Sequence, residues 1–291
     1  MLTIGLVGLG ALGGAIATRL QQAGFPLVVW GRQAARVQPW LAAGARWVDS
    51  AAQVAAECEI VITCVTDTAA MEEVVFDPAG LAAGGRPNTV LVDHSTIHPL
   101  ATRSMALRLR EKSGMHWVDA PVTGGVIAAT QGRLVVMAGG APADIARITP
   151  ILTHYSQRIT PMGENGAGQA AKIANQMIIG GTVAVIAEAL NYAANFGVSA
   201  PLLPDALAGG WADSAVLQHH ARRMAAADYS GEVNARIMVK DIDIACDMGR
   251  ETGSPMPVTA LVQQLYRQLI ANGDANKGQS GLMWLYKKTS L

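Results

Sequence analysis

An α/β fold with a doubly wound, mostly parallel sheet, followed by an all-α C-terminal domain, is predicted by three observations. Short apolar runs alternate with helical patterns between residues 3 and 160, as in consecutive βαβ units. A glycine-rich segment follows the first run and opens a helix pattern. After Pro161, apolar residues recur only at helical spacing. The predicted domains are therefore residues 1–162 and 163–291.

The strands of the first domain are predicted where aliphatic and β-branched residues cluster between turn residues. In chain order they cover residues 3–7, 27–30, 59–64, 89–93, 116–119, 133–138 and 157–160. Helical patterns lie between them, among them 100–112 and 143–152. Strands that alternate with helices in this way favour parallel pairing.

The second domain is predicted to contain helices only. Residues 166–195 have no proline and a helical apolar pattern, which indicates one long helix. Further helices are predicted at 202–208, 214–226, 233–251 and 257–272. The longest apolar stretch, 177–187, is shorter than the roughly 20 residues of a membrane span, so we expect a buried helix and no membrane partner.

Composition excludes several classes of protein. The 291 residues are 51% hydrophobic and 15% charged, which excludes a disordered chain. Lys plus Arg and Asp plus Glu both number 22, without a basic stripe, so no nucleic-acid partner is expected. The three cysteines lack the spacing of a metal site or a disulfide framework. With no signal peptide recognised at the N-terminus, we expect a cytoplasmic protein.

A G-x-G-x-x-G motif lies between the first predicted strand and the first helix pattern. This is the context that a Rossmann dinucleotide-binding motif requires, and it favours that interpretation over a structural glycine turn. The first glycine permits a tight turn, the second lets a pyrophosphate approach the backbone and the third lets the helix pack. The cofactor-binding residues predicted here are Gly8, Leu9, Gly10, Ala11, Leu12 and Gly13.

The end of the second predicted strand bears on the choice of cofactor. NAD-binding domains usually carry Asp or Glu about 20 residues after the glycines, for the ribose hydroxyls. Residues 30–33 contain no carboxylate, and Arg32 suits a 2′-phosphate in charge and geometry. The sequence therefore favours NADP, with NAD still possible and a solvated arginine as the alternative interpretation.

Lys172 is the only charged residue between 166 and 187. A lysine within an apolar helix is costly unless it reaches solvent or has a function. Asn175 and Gln176 follow at helical spacing and share its face. A lysine that extends along the helix to solvent is the alternative.

A possible carboxylate site precedes this helix. Thr123, Gly124 and Gly125 combine a hydroxyl with accessible backbone N–H groups, which suits a carboxylate. An ordinary turn is the alternative here.

Five segments, in the same order and over nearly the whole chain, resemble the β-hydroxyacid dehydrogenase family. That family includes 3-hydroxyisobutyrate dehydrogenase and tartronate semialdehyde reductase. The segments are GLVGLGALGGAIATRLQQAG near the start, DHSTIHP at 93–99, DAPVTGG at 119–125, GAGQAAKIANQ at 166–176 and VKDIDIA at 239–245.

The resemblance implies a role for each matching position. Val65 and Thr66 would lie beside the adenosine, and Ser95, Thr96 and Lys240 near the nicotinamide. The substrate carboxylate would bind Thr123, which replaces the family serine, with Gly124 and Gly125. Lys172 would act as general acid and base, oriented by Asn175 and Gln176. Gln176 departs from the family, which commonly has asparagine there.

We therefore expect an NADP-preferring, metal-free enzyme that interconverts a short 3-hydroxy acid with its semialdehyde or keto acid. The resemblance also implies a homodimer or homotetramer built through the helical domain.

One alternative is an NADPH-dependent imine reductase, disfavoured by Lys172 because those enzymes usually have Asp or Tyr there. A non-catalytic NADP-binding protein is another. A 6-phosphogluconate-type sugar-acid enzyme is disfavoured by the short chain. Trp211 is either a pocket wall or a packing residue.

Overall fold

The computed structural model describes residues 2–33, 37–231 and 233–286. The chain forms two compact units, Met1–Lys172 and Ile173–Leu291. This division falls inside the long helix α9 (Ala167–Asn195), whereas the sequence predicts a boundary at 162/163, before the helix begins. The difference concerns the first turns of α9, which are fastened to the ends of strands in the first unit.

The first unit is built on a twisted sheet whose central strands are all parallel. The order is β3-β2-β1-β4-β5-β6-β8-β7, and β9 pairs with β8. β8 runs antiparallel to β6 and β7 and parallel to β9. The strands are β1 (Ile4–Val7), β2 (Leu27–Trp30), β3 (Arg46–Trp47), β4 (Ile60–Thr63), β5 (Val90–Asp93), β6 (His116–Asp119), β7 (Val122–Thr123), β8 (Leu134–Gly139) and β9 (Ser156–Gly163). The predicted doubly wound sheet is confirmed.

Both faces of this sheet are covered, and for that reason its strands are continuous apolar runs. Side chains alternate along a strand, so Ile4 and Leu6 of β1 pack with Ile16 on one face. Val7 and its neighbour Val61 belong to the core on the opposite face. Strands β3 and β7 have only two residues each, too few to carry a periodic pattern, and sequence reasoning missed both.

Helices cover the sheet, and polar caps define several of their ends. Ser50 and Asp67 accept hydrogen bonds from backbone N–H groups at the starts of α3 and α4. Gly114 ends α6 in the left-handed conformation. The helices are α1 (Ala11–Gln22), α2 (Gln38–Ala42), α3 (Ala51–Glu57), α4 (Thr68–Phe76), α5 (Leu81–Gly84), α6 (Pro99–Ser113), α7 (Gly125–Thr130) and α8 (Pro142–Leu152).

Every helix or strand that the structure assigns among the described residues of the second unit is a helix, as predicted. The core of this unit joins Val183 and Leu190 of α9 to Met238 and Ile242 of α12 and to Tyr266 of α13. After α9 come α10 (Leu203–Ala206), α11 (Ala215–Ala225), α12 (Ala235–Thr252) and α13 (Pro257–Ala271), with 3-10 helices at Ala200–Leu202 and Gln279–Tyr286.

Helix α9 is long and apolar enough, by length and composition alone, to cross a membrane. Its most apolar 18-residue window has a mean hydropathy of 1.5. Of that window, 44% is buried inside the protein, and the core helix of a globular domain can pass the same test of length and composition.

His94 is part of the core of the first unit. Its Nδ1 donates to the carbonyl oxygen of Ala120 at 2.5 Å, so in the neutral ring Nε2 accepts from the Tyr155 hydroxyl at 2.8 Å. Burial lowers the pKa of His94 to about 4. His98 instead accepts a hydrogen bond from the backbone N–H of Leu100 at the start of α6. The two histidines therefore have structural partners.

The low pKa of His94 predicts a loss of stability in acid. Between pH 6.5 and 4 the unfolded chain takes up a proton that the native state rejects, so unfolding becomes more favourable as the pH falls. The shift from 6.5 to about 4 corresponds to about 3 kcal/mol at most. We expect His94→Asn to lose less unfolding free energy than the wild type between pH 7 and pH 4, measured by urea titration. Identical losses in the two proteins would contradict this assignment.

Candidate functional site

The glycine motif forms a tight loop against β4. Gly8 has φ +92°, and a Cβ there would lie 2.2 Å from the carbonyl oxygen of Cys64. A Cβ on Gly13 would lie 2.1 Å from the carbonyl oxygen of Gly8, whereas a Cβ on Gly10 would meet nothing within 4 Å. The first and third glycines are therefore required for packing, and the second leaves space beside the backbone.

The N-terminus of α1 begins at this open position. Gly10 is its N-cap, no side chain caps the helix and no acidic residue lies in its first turn. The first N–H groups of a helix have no partner within it and attract anions. This geometry fits the pyrophosphate of a dinucleotide.

A cavity of about 240 Å³ lies beyond the ends of β2 and β4. It brings together Trp30 and Arg32 from the end of β2, Val65 from the end of β4, and Val74 of α4. Arg32 is exposed, so its guanidinium has access to solvent and to a ligand at the mouth. Thr66 does not line this cavity, and its hydroxyl donates to Asp67 at 2.9 Å.

Ser95 connects two loops at the carboxyl ends of the strands. Its hydroxyl oxygen accepts from the backbone N–H of Val65 at 2.9 Å, and its own N–H donates to Asp93 at 2.8 Å. Ser95 is buried and the adjacent Thr96 is half-buried. The loop after β4, which contributes to the cavity, and the loop after β5 are thus held together.

The segment Thr123–Gly125 turns sharply between β7 and α7. Gly124 has φ +117° and Gly125 has φ +65°, both in the region that favours glycine. Both glycines are exposed and Thr123 is half-buried. Successive backbone N–H groups in such a turn form a concavity that suits a carboxylate.

Asp119, which sequence reasoning missed, caps helix α9 from the end of β6. Its carboxylate accepts from the backbone N–H groups of Gly166 at 2.8 Å and Gln169 at 3.0 Å. Burial raises the pKa of Asp119 to about 6. The sequence shows an acid at the end of an apolar strand, which is a signal for a functional or structural site. It does not show that the hydrogen-bond donors are Gly166 and Gln169, about 50 residues later in the chain.

Gln169, also missed, fastens the same turn to the loop after β5. Its Nε2 donates to the carbonyl oxygen of Ser95 at 2.8 Å and to Asp93 at 3.4 Å, and its Oε1 accepts from Ile97 N–H at 3.1 Å. Burial raises the pKa of Asp93 to about 7. Lys172 follows Gln169 by three residues and is only 8% exposed. The first turn of α9 is thus fixed at the carboxyl ends of the strands, where open α/β sheets bind ligands, and the buried lysine lies in the next turn of the helix.

In the second unit, three predicted residues are joined through Asp241. Gln176 donates to Asp241 Oδ2 at 2.7 Å, and Asn175 donates to Gln176 Oε1 at 2.9 Å. The Lys240 ammonium lies 2.9 Å from Asp241 Oδ1. Asp241 was not selected from the sequence, although it directly follows Lys240 in the VKDIDIA segment.

Other candidate groups have no comparable arrangement. Burial raises the pKa of the Cys64 thiol to about 12, which suits a small core side chain. No group of three or more His, Cys, Asp or Glu is placed to hold a metal among the described residues. Trp211 is fully exposed, so it is not a packing residue within the described chain.

The two halves of the chain match two family models. Residues 3–163 match the NAD binding domain of 6-phosphogluconate dehydrogenase. Residues 166–286 match the NAD-binding model of NADP-dependent 3-hydroxyisobutyrate dehydrogenase.

Individual relatives cover nearly the full length. The 2-hydroxy-3-oxopropionate reductase of Escherichia coli (strain K12) is 33% identical over 96% of this chain and 95% of its own. An NAD-dependent L-serine dehydrogenase of Pseudomonas aeruginosa is 30% identical over 99% of both chains. The structure of Mycobacterium tuberculosis 3-hydroxyisobutyrate dehydrogenase with L-serine has a TM-score of 0.90 at 27% identity, covering 99% of this chain and 100% of that chain.

Imine reductases share the fold at a greater distance. An imine reductase structure from Pseudomonas sp. has a TM-score of 0.62 at 21% identity, covering 99% of each chain. With both family models and relatives of at least 30% identity along its length, this chain belongs to the β-hydroxyacid dehydrogenase family.

Proposed function

We propose that this protein is an NADP-preferring dehydrogenase that interconverts a short 3-hydroxy acid with its semialdehyde or keto acid. The observation that carries the proposal is the buried Lys172, three residues after Gln169 on a helix whose first turn is bonded to Asp119 and Ser95 at the carboxyl ends of the strands. The 2-hydroxy-3-oxopropionate reductase and the 3-hydroxyisobutyrate dehydrogenase to which the chain is similar support this substrate class.

The substrate carboxylate binds the Thr123 hydroxyl and the N–H groups of Gly124 and Gly125. The bound nicotinamide supplies the hydride in reduction and accepts it in oxidation. In reduction, the Lys172 ammonium donates a hydrogen bond to the carbonyl oxygen, stabilises the developing alkoxide and gives it a proton. In oxidation, neutral Lys172 takes the hydroxyl proton. Asn175 and Gln176, one turn along the helix, orient the lysine or the substrate oxygen.

A substrate panel tests this function first. We would follow oxidation of NADPH and NADH by absorbance with small semialdehydes and keto acids, and reduction of NADP and NAD with 3-hydroxy acids. Turnover that depends on the substrate carboxylate supports the proposal. Tight NADPH binding without turnover of any acid would favour a non-catalytic binding protein instead.

The catalytic role of Lys172 predicts a selective loss of turnover. We expect Lys172→Ala to lower kcat by about 10²–10⁴-fold, because the general acid and base is removed. Affinity for NADPH, measured by fluorescence titration, should stay close to that of the wild type. Lys112→Ala, at an exposed position near the end of α6, is the control and should keep full turnover. Normal turnover by Lys172→Ala would refute the mechanism.

The preference for NADP rests on Arg32, which lines the cavity at the end of β2, the position where NAD-binding domains usually carry Asp or Glu. Hydrogen bonds to charged groups contribute about 1.5–3 kcal/mol, or roughly 10–100-fold in affinity. We therefore expect Arg32→Asp to weaken NADPH binding by about that factor and to strengthen NADH binding. An unchanged ratio of the two dissociation constants would show that a group other than Arg32 distinguishes NADPH from NADH.

A homodimer or homotetramer is proposed from the exposed face of α9. Ile178, Val185 and Tyr192 are spaced by seven residues, so they share one side of the helix. Their exposed fractions are 68%, 64% and 72%. Large apolar side chains repeatedly exposed along one side of a helix indicate an interaction site, and a second copy of the chain is the occupant proposed. The three cysteines, Cys58, Cys64 and Cys246, are free, which suits a reducing compartment such as the cytoplasm.

This assignment predicts that Val185→Glu dissociates the oligomer, because a buried charge would face an apolar surface. Sedimentation velocity should show a shift toward monomer. Leu107→Glu, on α6 at a similar exposed fraction of 65%, should leave the oligomer intact. A wild-type sedimentation profile for Val185→Glu would place the interface elsewhere.

A further inference from the structure

A buried carboxylate ends a chain of side-chain hydrogen bonds in the second unit. Asp241 of α12 is 2% exposed, accepts from Gln176 Nε2 at 2.7 Å through Oδ2 and pairs with the Lys240 ammonium at 2.9 Å through Oδ1. Gln176 Oε1 accepts in turn from Asn175 Nδ2 at 2.9 Å. Both amides belong to α9, and Gln176 is itself buried.

The chemistry of the carboxylate sets the direction of this chain. Ionised carboxylate oxygens only accept hydrogen bonds, so the Gln176 amide must turn its nitrogen toward Asp241. Its oxygen then faces Asn175, which must donate through its own nitrogen. Reversing either amide would place two acceptors or two donors against each other. The orientation of the Asn175 amide therefore follows from a residue that it does not touch.

We propose that Asp241 is a positioning residue that acts through Gln176 and turns Asn175 Oδ1, an acceptor, away from the Gln176 contact. The proposal rests on the proposed function. Asn175 follows Lys172 by three residues on α9, and side chains at that spacing are neighbours. An acceptor there suits the lysine ammonium or a substrate hydroxyl, since both donate hydrogen bonds.

The lengths of the two partners are matched. The Gln176 side chain has one methylene more than asparagine, and with it the amide reaches Asp241. If Gln176 is shortened to asparagine, lengthening Asp241 to glutamate supplies the missing methylene from the partner residue. Shortening one partner should break the contact, and lengthening the other should restore it. An exchange of lengths therefore separates the direct pairing from a general packing effect.

The experiment compares Asp241→Asn, Gln176→Asn, Asp241→Glu and the double variant Gln176→Asn/Asp241→Glu. We expect Asp241→Asn and Gln176→Asn to lower kcat by about 10–100-fold, as for loss of a hydrogen bond to a charged group. Lys240 also pairs with Asp241, so the dissociation constant of NADPH is measured for each variant and should change little. A loss of NADPH affinity as large as the loss of kcat would place the effect at Lys240 and overturn the proposal. The double variant should recover most of the lost kcat.

Asp243→Asn is the matched control on the same helix. Asp243 pairs with Arg267 at 2.8 Å and is partly exposed, so its loss removes a charge without touching the amide chain. Its kcat should equal that of the wild type. A loss in Asp243→Asn as large as that in Asp241→Asn would overturn the proposal, because it would reflect charge alone.

Thermal unfolding midpoints of the same variants give a readout that does not depend on turnover. Each length change alone should lower the midpoint, and the double variant should regain it. A double variant no better than the poorer single variant, in both kcat and midpoint, overturns the pairing. If the wild type turns over no hydroxy acid, the proposed function fails, while the midpoints still decide the Asp241–Gln176 pairing. If Asp241→Asn does not fold, the length exchange still decides it.

Discussion

The cap that Asp119 places on the first turn of α9 is the interaction on which the position of Lys172 depends. A helix begins with N–H groups that have no partner inside it, and two of them are satisfied here by a carboxylate from β6. The fit is close: a Cβ on Gly139 would lie 2.7 Å from Asp119 Oδ2 and 2.7 Å from the backbone nitrogen of Gly168. The glycines allow the helix to approach the ends of the strands.

Buried polar groups are costly unless their hydrogen bonds are satisfied, and this region meets that condition with few residues. Gln169 uses its backbone N–H and both ends of its amide on three separate segments: the end of β6, the end of β5 and the loop that follows β5. Lys172 stands one turn beyond. A rigid helix start of this kind positions a catalytic group more accurately than a loop does.

In the second unit, too, a buried carboxylate accepts a hydrogen bond from a residue of α9. Asp241 accepts from Gln176, and the two amides carry that orientation to Asn175. In both units a buried carboxylate accepts hydrogen bonds from groups of α9, and Asp241 also pairs with Lys240. The helix that carries Lys172, Asn175 and Gln176 is thus bonded to two acids, Asp119 and Asp241, that stand in other segments of the chain.

The sequence by itself determined the fold class, the family and the glycine loop, and it singled out Lys172 as a candidate, because these depend on local periodicity and on short motifs. Val65 and Arg32, two of the cofactor-binding residues predicted from the sequence, line one cavity because the carboxyl ends of parallel strands meet at one edge of the sheet. Only the tertiary structure revealed the hydrogen bonds made by the side chains of Asp93, Asp119, Gln169 and Asp241. Their partners are tens of residues away, and the pattern of one strand or helix carries no information about which distant hydrogen-bond donor will face a buried acid.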